Sequence, residues 1–121
     1  MRILLVDPPM QSFMQARADW YPMSLSYLAG VIMNEGHDVL IYNGEHDKDL
    51  DYLNLTTYSE NYHLYPDGLN NDEHYIWKKF KNILVSYKPD VVGITAFSVK
   101  YPSAINIASV SYTHLTLPTK A

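Results

Sequence analysis

The hydrophobic pattern of the chain contains three short apolar runs separated by longer stretches of other character. Residues 3–6, 39–42 and 91–95 are apolar or β-branched with almost no polar alternation. Runs of this kind are typical of strands buried on both faces of a parallel sheet. Pro8 and Pro9 end the first run, because proline cannot donate to a strand ladder and restricts the residue before it. The pattern therefore predicts three parallel strands.

A helix is predicted between the first two strands, and Gly36 is placed to end it. Its apolar residues recur at i, i+3, i+4, i+7 and i+8, one face of a helix of period 3.6. They are Leu25, Leu28, Ala29, Ile32 and Met33. A strand, a helix and a second strand in this order form a βαβ unit. The chain is therefore expected to be an α/β domain.

Two more helices flank the third strand. The first is predicted over residues 72–87, with Asn70 and Glu73 as a capping pair and Lys88-Pro89 as its end. Its apolar stripe comprises Ile76, Phe80, Ile83, Leu84 and Tyr87. The second begins at residues 100–103, because Pro102 suits a first helical turn. Its predicted inner face contains Ile105 and Ala108.

Residues 44–75 interrupt this regular pattern. They contain eight acidic residues against Lys48 alone, and five of the eleven tyrosines. Periodicity is weak and Pro66-Asp67-Gly68 indicates a turn. A long irregular segment inside a small domain is usually functional or an insertion. We interpret residues 44–72 as a Tyr-rich acidic insertion running over the surface, with solvated carboxylates and one short helix near 49–55.

The last twelve residues differ from the rest of the chain. Residues 110–119 are rich in β-branched residues and contain Pro118, so the amphipathic helix is expected to stop near Val110. This stretch also resembles one reading frame of a widely used transposon-type sequencing adapter. We therefore expect residues 110–121 to be a non-native tail and residues 1–109 to be a partial domain.

Composition narrows the possible functions. With 9 Lys+Arg against 13 Asp+Glu the formal net charge is −4, which disfavours nucleic-acid binding. Apolar runs are far shorter than the roughly 20 residues that span a bilayer, and we do not expect a secretory signal, because no basic segment is followed by an apolar core. The chain has no cysteine, which excludes disulfides and thiolate-bound metals within it. A cytoplasmic protein without membrane partners is expected.

Candidate chemistry lies where the strands end, since parallel α/β sheets bind ligands beyond the carboxyl ends of their strands. The loop after the first strand begins with Asp7, and the loop after the third contains Thr95, Ser98 and Lys100. The two hydroxyl side chains could bind a ligand, or they could only cap the turn into the next helix. There is no Gly-rich phosphate loop and no histidine pair with zinc-ligand spacing. No catalytic residue and no metal ligand are predicted.

Four segments, in this order and spacing, resemble one family. They are Met-Arg-Ile-Leu-Leu-Val-Asp-Pro-Pro (1–9), Tyr-Pro-Met-Ser-Leu-Ser-Tyr-Leu-Ala-Gly (21–30), Glu-Gly-His-Asp-Val (35–39) and Lys-Pro-Asp-Val-Val-Gly-Ile-Thr (88–95). Together they resemble the N-terminal cobalamin (B12)-binding domain of B12-dependent radical SAM proteins. The resemblance covers about residues 1–109.

The resemblance implies a flavodoxin-like, Rossmann-type parallel sheet, here with three of about five strands. It also implies that the corrin rests over the strand ends. By position, the cofactor-binding residues would be Asp7, Pro8, Pro9, Thr95, Ala96 and Ser98. The Asp-x-His-x-x-Gly motif of classical B12 domains is absent, so cobalamin would bind without a protein imidazole on cobalt.

The Cys-x-x-x-Cys-x-x-Cys motif of radical SAM domains is also absent. The [4Fe–4S] cluster and S-adenosylmethionine would therefore belong to a C-terminal domain of a longer parent enzyme. The chain itself is expected to be inert and to bind cobalamin weakly or not at all.

Two alternatives to this family remain open. The N-terminal half of a GT-B-type glycosyltransferase also begins with a short strand, a Leu-Ala helix and a Gly-His-Asp-Val-like turn. A stand-alone ligand-sensing module of flavodoxin-like fold would need no catalytic partner domain. Because the remaining strands of the sheet are missing, the third strand is expected to leave an unprotected apolar edge, which invites aggregation.

Overall fold

The computed structural model describes residues 1–16, 22–46, 49–50 and 54–115. Within these ranges three strands and five α-helices occur in α/β order. The strands are β1 (Arg2–Asp7), β2 (Asp38–Asn43) and β3 (Val91–Ile94). The helices are α1 (Met23–Asn34), α2 (Leu55–Asn61), α3 (Leu64–Leu69), α4 (Tyr75–Tyr87) and α5 (Tyr101–Leu115). Two short 3₁₀ helices, Gln11–Met14 and Ser98–Lys100, follow β1 and β3.

The three strands form one parallel sheet in the order β2-β1-β3. Leu4 of β1 lies opposite Leu40 of β2 on one side and opposite Val92 of β3 on the other. The chain passes from β1 to β2 and then returns to the far side of β1. The direction in which successive strands are added to the sheet therefore reverses between β1 and β3, although all three strands are parallel. The predicted α/β class and its three parallel strands are confirmed.

The continuous apolar run of β1 has a structural reason, because both faces of the strand are covered. Leu5 packs with Leu25 and Ala29 of α1 on one face. Leu4 and Val6 face the larger core on the opposite side. That core also contains residues of the loop after β1 and of α3, α4 and α5, namely Met10, Phe13, Met14, Tyr65, Ile76, Trp77, Phe80, Leu84 and Ile107.

The first predicted helix is confirmed, but its buried face is narrower than the predicted apolar stripe. Leu25 and Ala29 are buried, whereas Leu28 and Met33 are 47% and 60% exposed. The helix ends as predicted, with Gly36 at a φ of +90° in the left-handed region that glycine adopts without steric cost.

The insertion differs from its prediction. Of the short helix expected near 49–55, residues 51–53 lie outside the described ranges and residues 49–50 are not helical; α2 begins at Leu55, capped by the Asn54 side chain. The predicted turn at residues 66–68 is part of α3. Tyr65 and Gly68 are buried, and the Trp77 indole N–H donates to the Gly68 carbonyl oxygen at 2.8 Å. The insertion therefore contributes to the core, because its aromatic and small residues pack on the first 3₁₀ helix and on α4.

The cap of α4 is also corrected. The helix begins at Tyr75, and the Nδ1 atom of His74 accepts a hydrogen bond from the Ile76 amide at 3.2 Å. Asn70 and Glu73 do not form the predicted pair. The Asn71 side chain accepts from the Glu73 amide at 3.0 Å instead. An imidazole therefore caps this helix in place of the expected pair of Asn70 and Glu73.

Helix α5 departs from its prediction in two ways. It continues to Leu115 rather than stopping near Val110. Its buried residues are Ser103, Ala104, Ile107 and Ser111, whereas Ile105 is 51% exposed and Ala108 faces solvent. The helix is thus rotated relative to the predicted inner face. The non-native origin of residues 110–121 stays a prediction, and residues 116–121 lie outside the described ranges.

In the part of the chain that the structure describes, no helix has both the length and the apolar character needed to cross a bilayer.

Candidate functional site

The carboxyl ends of the three strands bring together residues that are distant in sequence. Asp7 ends β1, Gly44 and Glu45 follow β2, and Thr95 follows β3. Because parallel strands end at the same edge of a sheet, these residues lie in one layer. Lys100, at the end of the second 3₁₀ helix, reaches into the same layer.

A buried ion cluster forms the centre of this edge. The Lys100 Nζ atom lies 3.1 Å from Asp7 Oδ1 and 3.3 Å from Glu45 Oε2. The side chains of Lys100, Asp7 and Glu45 are 6%, 4% and 0% exposed, respectively. One ammonium group thus lies between two carboxylates in an environment where an unpaired charge is costly. The cluster joins the carboxyl ends of all three strands.

Glu45 also accepts hydrogen bonds from the backbone amides at the start of the first 3₁₀ helix. Its Oε1 atom accepts from the amides of Met10 at 2.7 Å, Gln11 at 2.9 Å and Ser12 at 3.4 Å. Backbone N–H groups at a helix start have no partner within the helix, and an anion there is favourable. The carboxylate therefore fixes the loop after β1 through hydrogen bonds and through its ion pair.

The loops after β1 and β2 approach each other at a glycine. The Gly44 amide donates to the Asp7 carbonyl oxygen at 2.9 Å, and the Ser12 hydroxyl donates to the Gly44 carbonyl oxygen at 2.5 Å. A Cβ atom at position 44 would lie 2.6 Å from the Asp7 oxygen and 2.7 Å from the Pro9 nitrogen. Only glycine fits there without moving the backbone.

The connection from β3 to α5 lies over the buried ion cluster and faces solvent. The Thr95 amide donates to the Val6 carbonyl oxygen at 3.1 Å, and the Thr95 hydroxyl lies 3.3 Å from Asp7 Oδ1. The next four residues, Ala96, Phe97, Ser98 and Val99, are all exposed. We call residues 96–99 the exposed loop. It is uncharged, and Lys100 anchors it directly to the buried cluster.

Helix α3 supports the exposed loop from the side. The Tyr65 hydroxyl donates to the Val99 carbonyl oxygen at 2.8 Å. Burial raises the pKa of Tyr65 to about 12, since the phenolate would be poorly solvated there. The phenol therefore stays a hydrogen-bond donor throughout the physiological pH range.

The six residues predicted to bind cofactor fall into two groups. Asp7, Pro8 and Pro9 are buried beneath the loops. Thr95 is half-buried, and Ala96 and Ser98 are exposed. The structure brings the two groups to one sheet edge, but only the second group offers surface to a ligand. The binding role of all six stays a prediction.

The sequence analysis missed Glu45 as a site residue and did not predict the burial of Lys100. Glu45 was interpreted as part of a solvated acidic surface, which is wrong, because it is 0% exposed. Lys100 was placed in the right loop, but nothing local indicated that it is buried. The available signal was position: Glu45 directly follows the second strand, as Asp7 ends the first.

The described residues contain no group of three or more His, Cys, Asp and Glu side chains arranged to hold a metal ion. At the strand ends, the Lys100 ammonium occupies the place between two carboxylates. No protein-family model, curated protein or solved structure matches this chain.

Proposed function

We propose that this chain is a cobalamin-binding module of flavodoxin-like fold, with the corrin resting over the carboxyl ends of β1 and β3. The observation that supports this proposal is the uncharged exposed loop. The buried ion cluster holds this loop at the sheet edge where the direction of strand addition reverses. In open parallel sheets ligands bind in the crevice at that reversal. The order β2-β1-β3 puts the reversal between β1 and β3.

The chemistry of the exposed loop suits a large, flat macrocycle. Phe97 and Val99 are 62% and 61% exposed, so an apolar ring would remove apolar surface from water. Ala96 is small enough to permit close approach. The hydroxyls of Thr95 and Ser98 could hydrogen-bond the amide groups at the corrin periphery. No ionic side chain in residues 96–99 would have to be desolvated.

The buried cluster has a supporting role in this proposal. Lys100 fixes the end of the exposed loop against Asp7 and Glu45, and Pro8 and Pro9 fill the space beneath. A preformed surface loses less conformational entropy when it binds a ligand. These groups would orient the loop without contacting the corrin.

Cobalamin, when bound, supplies an organometallic bond to cobalt, which carries methyl or radical chemistry. The residues after β1 include no histidine through position 22, so the chain would hold the macrocycle by its face and edges. In the cytoplasmic radical SAM enzyme that we propose as its parent, the iron–sulfur cluster and S-adenosylmethionine would bind to a C-terminal domain. This chain would bind and position cobalamin only.

Equilibrium dialysis against cyanocobalamin, read by its visible absorption, tests the proposal. We expect weak, saturable binding with Kd between about 10 µM and 1 mM, because the corrin would lie on one surface rather than in an enclosed pocket. Ser98→Glu should weaken binding about tenfold or more, since it places a charge under the ring. Ser86→Glu is the matched control: Ser86 is exposed on α4, near the opposite end of the sheet.

Hydroxocobalamin, which exchanges its axial ligand, distinguishes docking from cobalt ligation. We expect both cobalamins to bind with similar affinity. Binding of hydroxocobalamin alone would indicate ligation by an exposed histidine such as His46 and would contradict docking on the loop. No saturable binding of either cobalamin at about 1 mM would refute the proposal.

A further inference from the structure

Where β2 ends, the sequence contains its single asparagine–glycine pair, Asn43-Gly44. This pair is chemically labile, because the Gly44 amide nitrogen can attack the Asn43 side-chain amide and close a five-membered succinimide ring. Glycine leaves the attacking nitrogen least hindered, since it has no Cβ. Every other asparagine of the chain precedes a residue that has a Cβ.

The packing of the strand ends requires this same glycine. Gly44 is buried, and a Cβ there would lie 2.6 Å from the Asp7 carbonyl oxygen and 2.7 Å from the Pro9 nitrogen. A larger residue at position 44 would therefore separate the loops after β1 and β2. The missing Cβ that permits this close contact also makes Asn43 the most reactive asparagine once the contact opens.

The folded strand ends hold both reacting groups away from ring closure. The Gly44 amide donates to the Asp7 carbonyl oxygen at 2.9 Å, and the Asn43 Oδ1 atom accepts from the Glu45 amide at 3.1 Å. Attack needs a Gly44 nitrogen without its proton and an Asn43 side chain turned toward it, so both hydrogen bonds must break first. Glu45 follows directly in sequence and is paired with Lys100. The end of β2 therefore cannot leave β1 unless the buried ion cluster opens.

We infer that Asn43 is a site of spontaneous deamidation and that opening of the buried ion cluster limits its rate. In the opened state the Gly44 nitrogen loses its proton to water and bonds to the Asn43 Cγ atom. The Cγ–Nδ2 bond breaks, and the side-chain nitrogen leaves as ammonia. Water then opens the succinimide at either carbonyl group, which yields aspartate or isoaspartate at position 43.

The isoaspartyl product alters the main chain itself. The chain then passes through the former side chain of residue 43, which adds one carbon atom before Gly44. This addition would displace the Gly44 carbonyl oxygen from the Ser12 hydroxyl and Glu45 from Lys100. We expect the modified end of β2 not to close again over the loop after β1, so deamidation would make an opening of the cluster irreversible.

Incubation of the chain at neutral pH, followed by mass spectrometry and peptide mapping, tests this inference. Conversion at Asn43 should be at least about 100-fold slower in the folded chain than in guanidinium chloride, because only the opened fraction reacts. Asn43→Gln should abolish it, since glutamine would have to close a less favourable six-membered ring. Isomerisation of Asp67 before Gly68 leaves the mass unchanged, so the mass gain reports deamidation alone.

Three variants test the control by the cluster. Lys100→Met should speed the reaction of the folded chain at least about tenfold, whereas Lys78→Met, at an exposed ion pair, should leave it unchanged. Ser12→Ala removes one hydrogen bond to Gly44 and should speed it about two- to tenfold, which keeps the test available if Lys100→Met does not fold. In guanidinium chloride these variants and the parent chain should react at one rate.

Two results would overturn the inference. Absence of conversion at Asn43 in the unfolded chain would remove the site. Equal rates in the folded and unfolded chain, or folded Lys100→Met and Ser12→Ala variants that react no faster than the parent chain, would show that the cluster does not limit the reaction.

Discussion

The buried ion cluster gives the sharpest stability prediction. Lys100→Met keeps an unbranched side chain of similar length and removes the ammonium group. Lys100 makes two ionic contacts, at 3.1 Å to Asp7 and 3.3 Å to Glu45, and all three side chains are at least nine-tenths buried. Removing one partner of a buried pair costs about 3–5 kcal/mol, because the remaining charge loses its compensation. That loss is a large part of a domain's total stability of about 5–15 kcal/mol.

The cost should fall unequally on the two carboxylates. Glu45 retains the backbone amides of Met10, Gln11 and Ser12, whereas among the described residues Asp7 retains one side-chain hydrogen bond, from the Thr95 hydroxyl. The double variant Asp7→Asn with Lys100→Met should therefore regain about 1–3 kcal/mol relative to Lys100→Met alone. Glu45→Gln with Lys100→Met should regain less.

Urea unfolding followed by fluorescence measures these free energies, with the buried Trp77 as a reporter. Lys78→Met is the control, because Lys78 forms an exposed pair with Glu73 at 3.4 Å, which is worth at most about 1 kcal/mol. A cost for Lys100→Met below about 1 kcal/mol would refute a buried cluster. Equal effects of the two double variants would refute the unequal compensation of Asp7 and Glu45.

Three other predictions concern single positions. Gly44→Ala should cost about 1–3 kcal/mol of unfolding free energy, because its Cβ would meet the backbone of Asp7, whereas Gly30→Ala, with open space around its Cβ, should stabilise α1 by up to about 1 kcal/mol. Burial lowers the pKa of His74 below 6.5, so the stability that this imidazole contributes is complete above pH 6.5 and is lost as the pH falls. Urea unfolding at about pH 7.5 and 5 should show this loss, and His74→Asn should abolish the pH dependence. Burial raises the pKa of Tyr65 to about 12, so its contribution to folding stability is present below about pH 10 and is lost as the pH rises toward 12. Ultraviolet titration can follow the ionisation of Tyr65, with Tyr65→Phe as the blank, and an ordinary phenol titration would contradict its burial.

The strands could be predicted from sequence because each signal is local. A continuous apolar run needs cover on both faces, and β1 has Leu5 under α1 and Leu4 under the opposite layer. The start of helix α5 was predicted correctly, but its end and its buried face were predicted wrongly. Apolar residues occur on both sides of this helix and no charge marks the solvent side, so periodicity alone could not distinguish Ile105 from Ile107.

The site was harder to predict, because its central contacts connect distant parts of the chain. Asp7 and Lys100 lie 93 residues apart. Glu45 occurs in an acidic stretch that indicates a solvated surface, and its burial depends on Lys100 and on the amides of the first 3₁₀ helix. The position of the site at the carboxyl ends of the strands could be predicted from the parallel α/β pattern. The buried ion cluster beneath it could be found only from the structure.

Amide chemical-shift mapping with cyanocobalamin tests the central proposal most directly. Its low-spin Co(III) is diamagnetic, so perturbed amides report on the surface where the corrin lies. We predict saturable shifts at Thr95, Ala96 and Ser98, and none at Ser86 or Lys88 near the opposite end of the sheet. Shifts confined to the opposite end, or no saturable shifts, would contradict cobalamin binding at the carboxyl ends of β1 and β3.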